Sequence, residues 1–271
     1  MPPELRPPAV AGSFYPAAPR HLLAEVDDLL REATVSLRPS LRRAPKALIV
    51  PHAGFRYSGP VAASAYTLLT PYAETFRRVV LLGPSHRAYF HGVALPEATA
   101  FETPLGVVGV DVEAAALVPD VPRLAAAHAR EHSLEVELPF LVRVLPRFSI
   151  VPLVVGDADD DLVAAVVDAL WGGPETLIVV SSDLSHYLTY EQARRVDAET
   201  ASRIVDLSPV PLRHDQACGA TPVNGLLAVA RRRRLRPLRV DLRSSGDTAG
   251  SRDQVVGYGA FAFYEEDVDA D

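Results

Sequence analysis

The sequence predicts an α/β fold, a single domain in which helices flank a mixed, mainly parallel β-sheet. Short apolar runs bounded by turn residues recur along the chain, as is typical of buried strands. Segments with the apolar spacing of helices separate most of these runs, and this alternation favours helices on both sides of one sheet. The 271 residues contain no internal repeat and no linker-like stretch, so residues 1–271 are predicted to form one domain.

Composition excludes several classes of protein. A net charge of −7 argues against a nucleic-acid-binding protein, because the chain as a whole lacks the basic surface that such proteins have. No apolar run approaches the roughly 20 residues of a membrane-spanning helix, and the N-terminus lacks the regions of a signal peptide. Cys218 is the only cysteine, which rules out an intrachain disulfide and fits a cytoplasmic protein. We interpret Cys218 as a buried structural thiol.

In the N-terminal half, residues 1–18 are rich in proline and are predicted to form an extended arm, with Phe14 placed to cover a pocket. Pro60 is predicted to begin a helix, because proline is favoured at the first helical position. A helix is also predicted at 21–32, strands at 47–50, 78–82 and 92–95, and a hairpin at 101–110.

Further along the chain, Asp111 is predicted to cap a short helix, and Pro139 marks the start of a helix or a kink within 131–145. The basic run 231–234 follows an apolar segment and is interpreted as the solvated end of a helix; the alternative is a phosphate-binding patch. Further helices are predicted at 159–170, 189–207 and 216–234, and strands at 150–155, 177–180, 238–242 and 255–263.

The candidate metal ligands are residues that closely follow strand-like apolar runs, namely His52, His86 and Asp247. If these strands are parallel, their carboxyl ends meet at one edge of the sheet, where ligands bind in open α/β sheets. Two imidazoles and one carboxylate form a donor set that leaves metal positions open. The sequence therefore predicts a divalent metal on these three residues. The alternative is that each histidine is a hydrogen-bonded turn residue.

Asp183 and His186 follow another apolar run and lie three positions apart, which on a helical turn places them on one face. A carboxylate beside an imidazole can orient it and make it a better general base. Alternatively, Asp183 is a helix N-cap and His186 is merely exposed. His132, directly after Glu131, is a second candidate for proton transfer.

Six motifs follow one another along nearly the whole chain: A-G-S-F-Y-P at 11–16, V-P-H-A-G-F-R-Y-S-G at 50–59, G-P-S-H at 83–86, E-H-S-L-E-V-E-L-P-F at 131–140, S-S-D-L-S-H at 181–186 and C-G-A-T-P at 218–222. This ordered set resembles the Memo family, whose bacterial and archaeal members are called AmmeMemoRadiSam system protein B. The bacterial name implies partnership with a radical-SAM protein and an AMMECR1-type protein.

The resemblance also implies a fold similar to that of the class III extradiol dioxygenases, which are non-haem iron enzymes that cleave catechol rings. By the same resemblance, His52 and His86 match the two metal-binding histidines. Asp247 matches the third ligand position, where animal members carry cysteine. A carboxylate at that position favours Fe(II), with Cu or Zn as further possibilities.

The expected function is that of a metal-dependent, dioxygenase-like oxidoreductase. In this hypothesis His132 or His186, oriented by Asp183, transfers a proton. Phe14 and Tyr57 shape the pocket that receives the substrate.

The alternative function is that of a non-catalytic module that captures an anionic or phosphorylated peptide. The histidines would then act as hydrogen-bond donors and Arg56 as the partner of the anion. Fold similarity alone does not decide between a catalyst and a binding module.

Overall fold

Strands with both faces buried form the centre of the structure, as their continuous apolar sequences require. A computed structural model describes residues 4–36 and 43–266. It has the predicted architecture, a single α/β domain whose sheet is flanked by helices. Within the described part of the chain, none of the helices combines the length and the hydropathy that crossing a lipid bilayer requires.

The strands of the described residues are, in chain order, β1 (Leu5–Arg6), β2 (Ala47–Val50), β3 (Arg78–Pro84), β4 (Val93–Ala94), β5 (Ala100–Thr103), β6 (Gly106–Gly109), β7 (Ser149–Val155), β8 (Thr176–Ser181), β9 (His186–Leu188), β10 (Arg236–Ser244) and β11 (Val255–Tyr264). The helices are α1 (Pro19–Ser36), α2 (Phe55–Tyr66), α3 (Val112–Ala115), α4 (Ala125–His128), α5 (Leu138–Val144), α6 (Asp160–Ala169), α7 (Tyr190–Val205), α8 (Ala220–Arg232) and α9 (Ser245–Thr248). Short 3₁₀ turns cover Thr67–Tyr72 and Glu135–Glu137.

The main sheet has the strand order β10-β11-β2-β8-β3-β7-β4, and β9 pairs with β11. Its four central strands, from β2 to β7, run parallel. The flanking strands β11 and β4 run antiparallel to them, so the sheet is mixed, as predicted. Because the central strands are parallel, the segments that follow β2, β8 and β3 emerge at the same edge.

Alternate residues of each central strand face opposite layers of helices, as the two-residue period of a strand dictates. In β2, for example, Leu48 packs in a core with side chains of α1, α2 and α5. Its neighbour Ile49 packs in the opposite core with side chains of α6, α7 and α8. This three-layer arrangement buries the sheet on both faces and leaves its carboxyl edge open for a site.

A separate three-stranded sheet joins the N-terminal arm (residues 4–18) to the predicted hairpin. In it, β1 pairs with β5 in parallel, and β5 pairs with β6 as the hairpin. Arg6 of β1 is buried and forms an ion pair with the buried Glu135. The guanidinium also donates to the backbone oxygens of His128 and Glu131. The arm is thereby fixed to the segment that precedes α5.

Two local predictions differ from the structure. Pro60 does not begin a helix, because α2 already starts at Phe55 and includes the proline in its interior. The N–H of Ser58 already donates to the oxygen of Gly54, so the chain is helical before it reaches Pro60. Asp183 and His186 do not share a helical turn, because residues 182–185 are irregular and His186 begins β9.

We predict that Arg6→Met will lower the free energy of unfolding by about 3–5 kcal/mol, because it leaves the Glu135 carboxylate buried without its cation. Arg143→Met removes an ion pair with Asp27 whose side chains are 47% and 37% exposed, and should cost less than about 1 kcal/mol. Urea denaturation of both variants measures the difference. Equal losses would show that the buried pair does not hold the arm in place.

Candidate metal centre

Three histidine side chains converge at the carboxyl edge of the central strands. His52, His86 and His132 each offer a ring nitrogen, and these three nitrogens lie within 4.8 Å of one another. The ring centroids are 5.1 Å apart for His52 and His86, 4.6 Å for His86 and His132 and 5.5 Å for His52 and His132. This three-histidine cluster is compatible with a metal site.

His52 follows β2 and is held by the neighbouring strand β8. Its backbone N–H donates to Oδ1 of Asp183 over 2.8 Å, and its Nδ1 lies 2.6 Å from Oγ of Ser181. The side chain is buried. Since Nδ1 is occupied by Ser181, Nε2 is the nitrogen that remains for a ligand.

His86 follows β3 and is oriented by the buried carboxylate of Glu131. The Nδ1 atom of His86 lies 2.9 Å from Oε1, and its backbone N–H donates to Oε2 over 2.5 Å. An imidazole that donates one N–H to a carboxylate has its other nitrogen fixed in direction, as is usual for metal-binding histidines. The His86 side chain is 28% exposed, so the cluster opens to solvent on this side.

His132 lies in the loop 131–134, between α4 and the 3₁₀ turn that precedes α5. Its Nδ1 is buried and makes no hydrogen bond among the described residues, although Oε1 of Glu131 lies 3.3 Å from it. Phe14 of the arm packs edge-on against the ring, with centroids 4.9 Å apart. The loop lies directly on β3, because a Cβ at Gly83 would approach Oγ of Ser133 to 2.7 Å. Glycine at this position therefore brings His132 close to the ends of the strands.

Charges around the cluster favour neutral imidazoles beside an ionised carboxylate. Burial lowers the pKa of His52 well below its usual value, and the adjacent His86 and His132 lower it further. Burial and His86 also lower the pKa of His132 to about 4. Burial alone would raise the pKa of Glu131, but hydrogen bonds from His86 and from backbone N–H groups outweigh it and lower the pKa to about 2. Neutral imidazoles have the free lone pairs that a metal requires.

Cys218 lies beside the cluster, a position that sequence reasoning did not predict. Its Sγ is 3.4 Å from Nε2 of His52. Burial, followed by the nearby Asp183, raises the pKa of the thiol to about 12, so it is protonated in the absence of a cation. Cys218 is half-buried and not fully buried as predicted, and the contact with His52 makes it part of the candidate site. Its presence in the C-G-A-T-P motif was the one available signal.

Asp183 and His186, the other predicted catalytic residues, lie on either side of a short irregular segment. Asp183 is buried and supports the backbone of His52, and burial raises its pKa to about 6. Nδ1 of His186 donates to the backbone oxygen of Leu184 over 2.8 Å, which leaves its Nε2 as an acceptor. Asp183 thus positions His52 of the cluster. Its predicted role, which is to orient His186, stays a prediction.

Asp247 is not part of the cluster, whose third nitrogen belongs to His132. Oδ2 of Asp247 accepts from the backbone N–H and the hydroxyl of Ser244, in a capping box at the start of α9. Oδ1 accepts from the hydroxyl of Tyr190. The strand order explains this separation, because Asp247 follows β10, which lies four strands from β3, on the order of 19 Å at the usual strand spacing.

The predicted substrate-binding residues belong to two segments, the N-terminal arm and the start of α2. Phe14 contacts His132, as described above. Arg56 and Tyr57 lie in the first turn of α2, directly after the segment that bears His52. The Arg56 guanidinium lies 5.8 Å from the centroid of the Tyr57 ring, and Tyr57 is 37% exposed. These two side chains are therefore available at the surface near the site.

Comparisons with known proteins identify the family of this chain. A family model described as Memo-like protein matches residues 6–262. A MEMO1 family protein of Archaeoglobus fulgidus is 36% identical over 272 residues, which cover 96% of this chain and 99% of the relative. A MEMO1 family protein of Aquifex aeolicus is 35% identical over 269 residues, which cover 94% and 97% respectively. The chain therefore belongs to the Memo-like protein family.

Proposed function

We propose that the three-histidine cluster binds a divalent metal and that the protein is a metal-dependent, dioxygenase-like oxidoreductase. The observation that carries the proposal is the convergence of three ring nitrogens within 4.8 Å at the carboxyl edge of the sheet. Three protein ligands leave further coordination positions for substrate or water, as catalytic metal sites require.

Two features of the donor set support metal binding. The buried Nδ1 of His132 makes no hydrogen bond among the described residues, although it lies 3.3 Å from Oε1 of Glu131. A buried polar atom without a hydrogen bond is costly unless a ligand satisfies it. In addition, Ser181 and Glu131 occupy the Nδ1 atoms of His52 and His86, so that the Nε2 atoms remain for coordination. Such outer contacts fix ligand orientation before a metal arrives.

Imidazole nitrogens accept Fe(II), Cu(II) and Zn(II) alike, so the nature of the metal depends on the groups around them. Fe(II) remains the metal expected for ring-cleaving chemistry. Without Asp247, however, the preference for Fe(II) that a carboxylate would provide loses its structural support. A deprotonated Cys218 would instead favour Cu(I) or Zn(II).

The bound metal would supply Lewis acidity and, if redox-active, a path for electrons. The residues of the chain would position the substrate and move protons. Nε2 of His186 is an available acceptor, and it is the nitrogen that would take a proton from a substrate hydroxyl. Phe14 covers the side of His132, while the exposed side of His86 provides the entrance.

The rival function, a module that captures an anionic or phosphorylated peptide, has weaker support at the cluster. Burial lowers the pKa of both His52 and His132, so neither carries the positive charge that would attract an anion at neutral pH. Arg56 remains available for an anion outside the cluster. The partnership with a radical-SAM protein and an AMMECR1-type protein stays a prediction from the sequence.

Elemental analysis of protein purified without oxygen and without chelators tests the metal-binding proposal. We expect close to one metal ion per chain, with its identity given directly by the measurement. Metal-free protein that also fails to bind added Fe(II), Zn(II) or Cu(II) would exclude a metal centre. Binding of phosphotyrosine by such metal-free protein would support the rival function.

We predict that His52→Ala, His86→Ala and His132→Ala will each strongly reduce the metal content, because each removes a ligand. His21→Ala is the matched control, since His21 is exposed on α1. Asp247→Ala distinguishes the two ligand sets, and it should retain the metal because the carboxylate is occupied by Ser244 and Tyr190. Loss of metal in Asp247→Ala together with full occupancy in His132→Ala would restore the ligand set predicted from the sequence.

We predict that Glu131→Gln will weaken metal affinity by about 10–100-fold, the usual effect of losing a carboxylate that orients a metal-binding histidine. The two oxygens of the carboxylate accept from the ring and from the backbone N–H of His86, whereas the amide of glutamine has only one oxygen. Titration of the apo protein with Zn(II) measures the affinity, and thermal unfolding checks that the variant is folded. Unchanged affinity in a folded variant would rule out this role for Glu131.

A further inference from the structure

Behind His52, on the side away from the cluster, a chain of buried polar side chains extends into the core. Oγ of Ser181 lies 2.6 Å from Nδ1 of His52, 2.6 Å from the backbone oxygen of Ser133 and 3.0 Å from Oε1 of Glu137. The hydroxyl of Tyr66 donates to Oε2 of Glu137 over 2.8 Å. Glu137, Ser181 and Tyr66 are all completely buried. This buried relay contacts the cluster only through Ser181.

We propose that Glu137 is a neutral carboxylic acid that acts through Ser181 as a positioning residue, holding His52 with Nδ1 protonated and Nε2 free. The proposal rests on the proposed metal site, because it explains why Nε2 of His52 is available there. It assigns a role to a buried acidic residue that the metal-binding proposal does not use.

The assignment follows from counting protons around Ser181. Three polar atoms lie within hydrogen-bonding distance of its Oγ, and each of these contacts needs one proton between the heavy atoms. A serine hydroxyl has one proton to donate and two lone pairs that accept. The backbone oxygen of Ser133 has no proton, so the hydroxyl proton of Ser181 belongs to that contact. The protons of the other two contacts must therefore come from Nδ1 of His52 and from Oε1 of Glu137.

The surroundings of Glu137 agree with a neutral acid. Among the described residues, no lysine or arginine forms an ion pair with it. Burial raises its pKa to about 8, although the hydrogen bonds with Tyr66 and Ser181 act in the opposite direction, and the neighbouring Asp183 adds to the rise. An unpaired buried carboxylate is far more costly than a buried carboxylic acid that is hydrogen-bonded at both oxygens. Tyr66 and Ser181 satisfy both oxygens of the acid.

A neutral Glu137 affects both His52 and His132. Ser181 can accept from His52 and still donate to Ser133, which adjoins His132 in the loop 131–134. An ionised Glu137 would instead take the Ser181 proton and leave the oxygen of Ser133 without a donor. The acid therefore allows one serine to tie the end of β2 to the loop that bears His132.

Spectroscopy of the chelator-treated, metal-free protein tests the proposal independently of metal binding. Infrared difference spectra at pH 7 should show the carbonyl stretch of a protonated carboxylic acid that Glu137→Gln removes. Glu135→Gln is the control, because its carboxylate is ion-paired with Arg6 and should not contribute to that band. Nitrogen-15 NMR of histidine-labelled protein, assigned with His52→Gln, should find His52 protonated at Nδ1.

Metal affinity then distinguishes positioning from a merely structural role. Glu137→Gln keeps an N–H donor toward Ser181 and should retain the Zn(II) affinity of the wild type and the Nδ1–H form of His52. Ser181→Ala should mix the two tautomers of His52 and weaken Zn(II) binding by about 10–100-fold. Absence of the acid band, or His52 protonated at Nε2 in the wild type, would overturn the assignment. If the wild type binds no metal, the metal-site proposal fails, whereas the infrared band and the tautomer still decide on Glu137.

Discussion

The buried carboxylate of Glu131 is the contact on which the geometry of the cluster depends. It accepts from the backbone and the ring of His86 and from the backbone N–H groups of His132 and Ser133. One side chain therefore connects the end of β3 to the loop 131–134. Because hydrogen bonds keep the carboxylate ionised, it also provides a negative charge close to His52 and His132, whose pKa values burial lowers. Such a charge favours a cation at the cluster over an anion.

The arm and the small sheet support the same loop from the opposite side. Glu135 accepts from Tyr15 and from the backbone N–H groups of Ala9 and Val10, and it is ion-paired with Arg6. These contacts bring Phe14 against His132. The loop that provides the third histidine is thus held between a strand of the main sheet and the N-terminal arm. Its position depends on contacts between residues more than a hundred positions apart.

The sequence was sufficient to predict the α/β class and the two histidines at strand ends. Apolar runs that end in turn residues are a local signal, and both His52 and His86 follow such runs. The order of strands in a sheet is not a local signal, so the separation of Asp247 from the cluster could not be read from spacing. His132 was predicted as a candidate for proton transfer. Its place beside His86 depends on the contact of its loop with Gly83 and on Glu131. The contact of Cys218 with His52 could not be predicted for the same reason, since only the fold places its sulfur beside that ring.

The position of β2 in the sheet has a consequence for how the chain folds. This strand of four residues pairs on one side with β8 and on the other with β11, so its partners lie more than 120 and more than 200 positions further along the chain. Such long-range pairings are slow to form, because the entropy of closing long loops is lost before the contacts are gained. During synthesis, β2 emerges early and remains without its neighbours until most of the sequence has been made. An unpaired apolar strand of this kind invites association with other chains. The strand that leads to His52 therefore completes its pairing only after residues 255–264 have been made, so the candidate site cannot form before most of the chain is present.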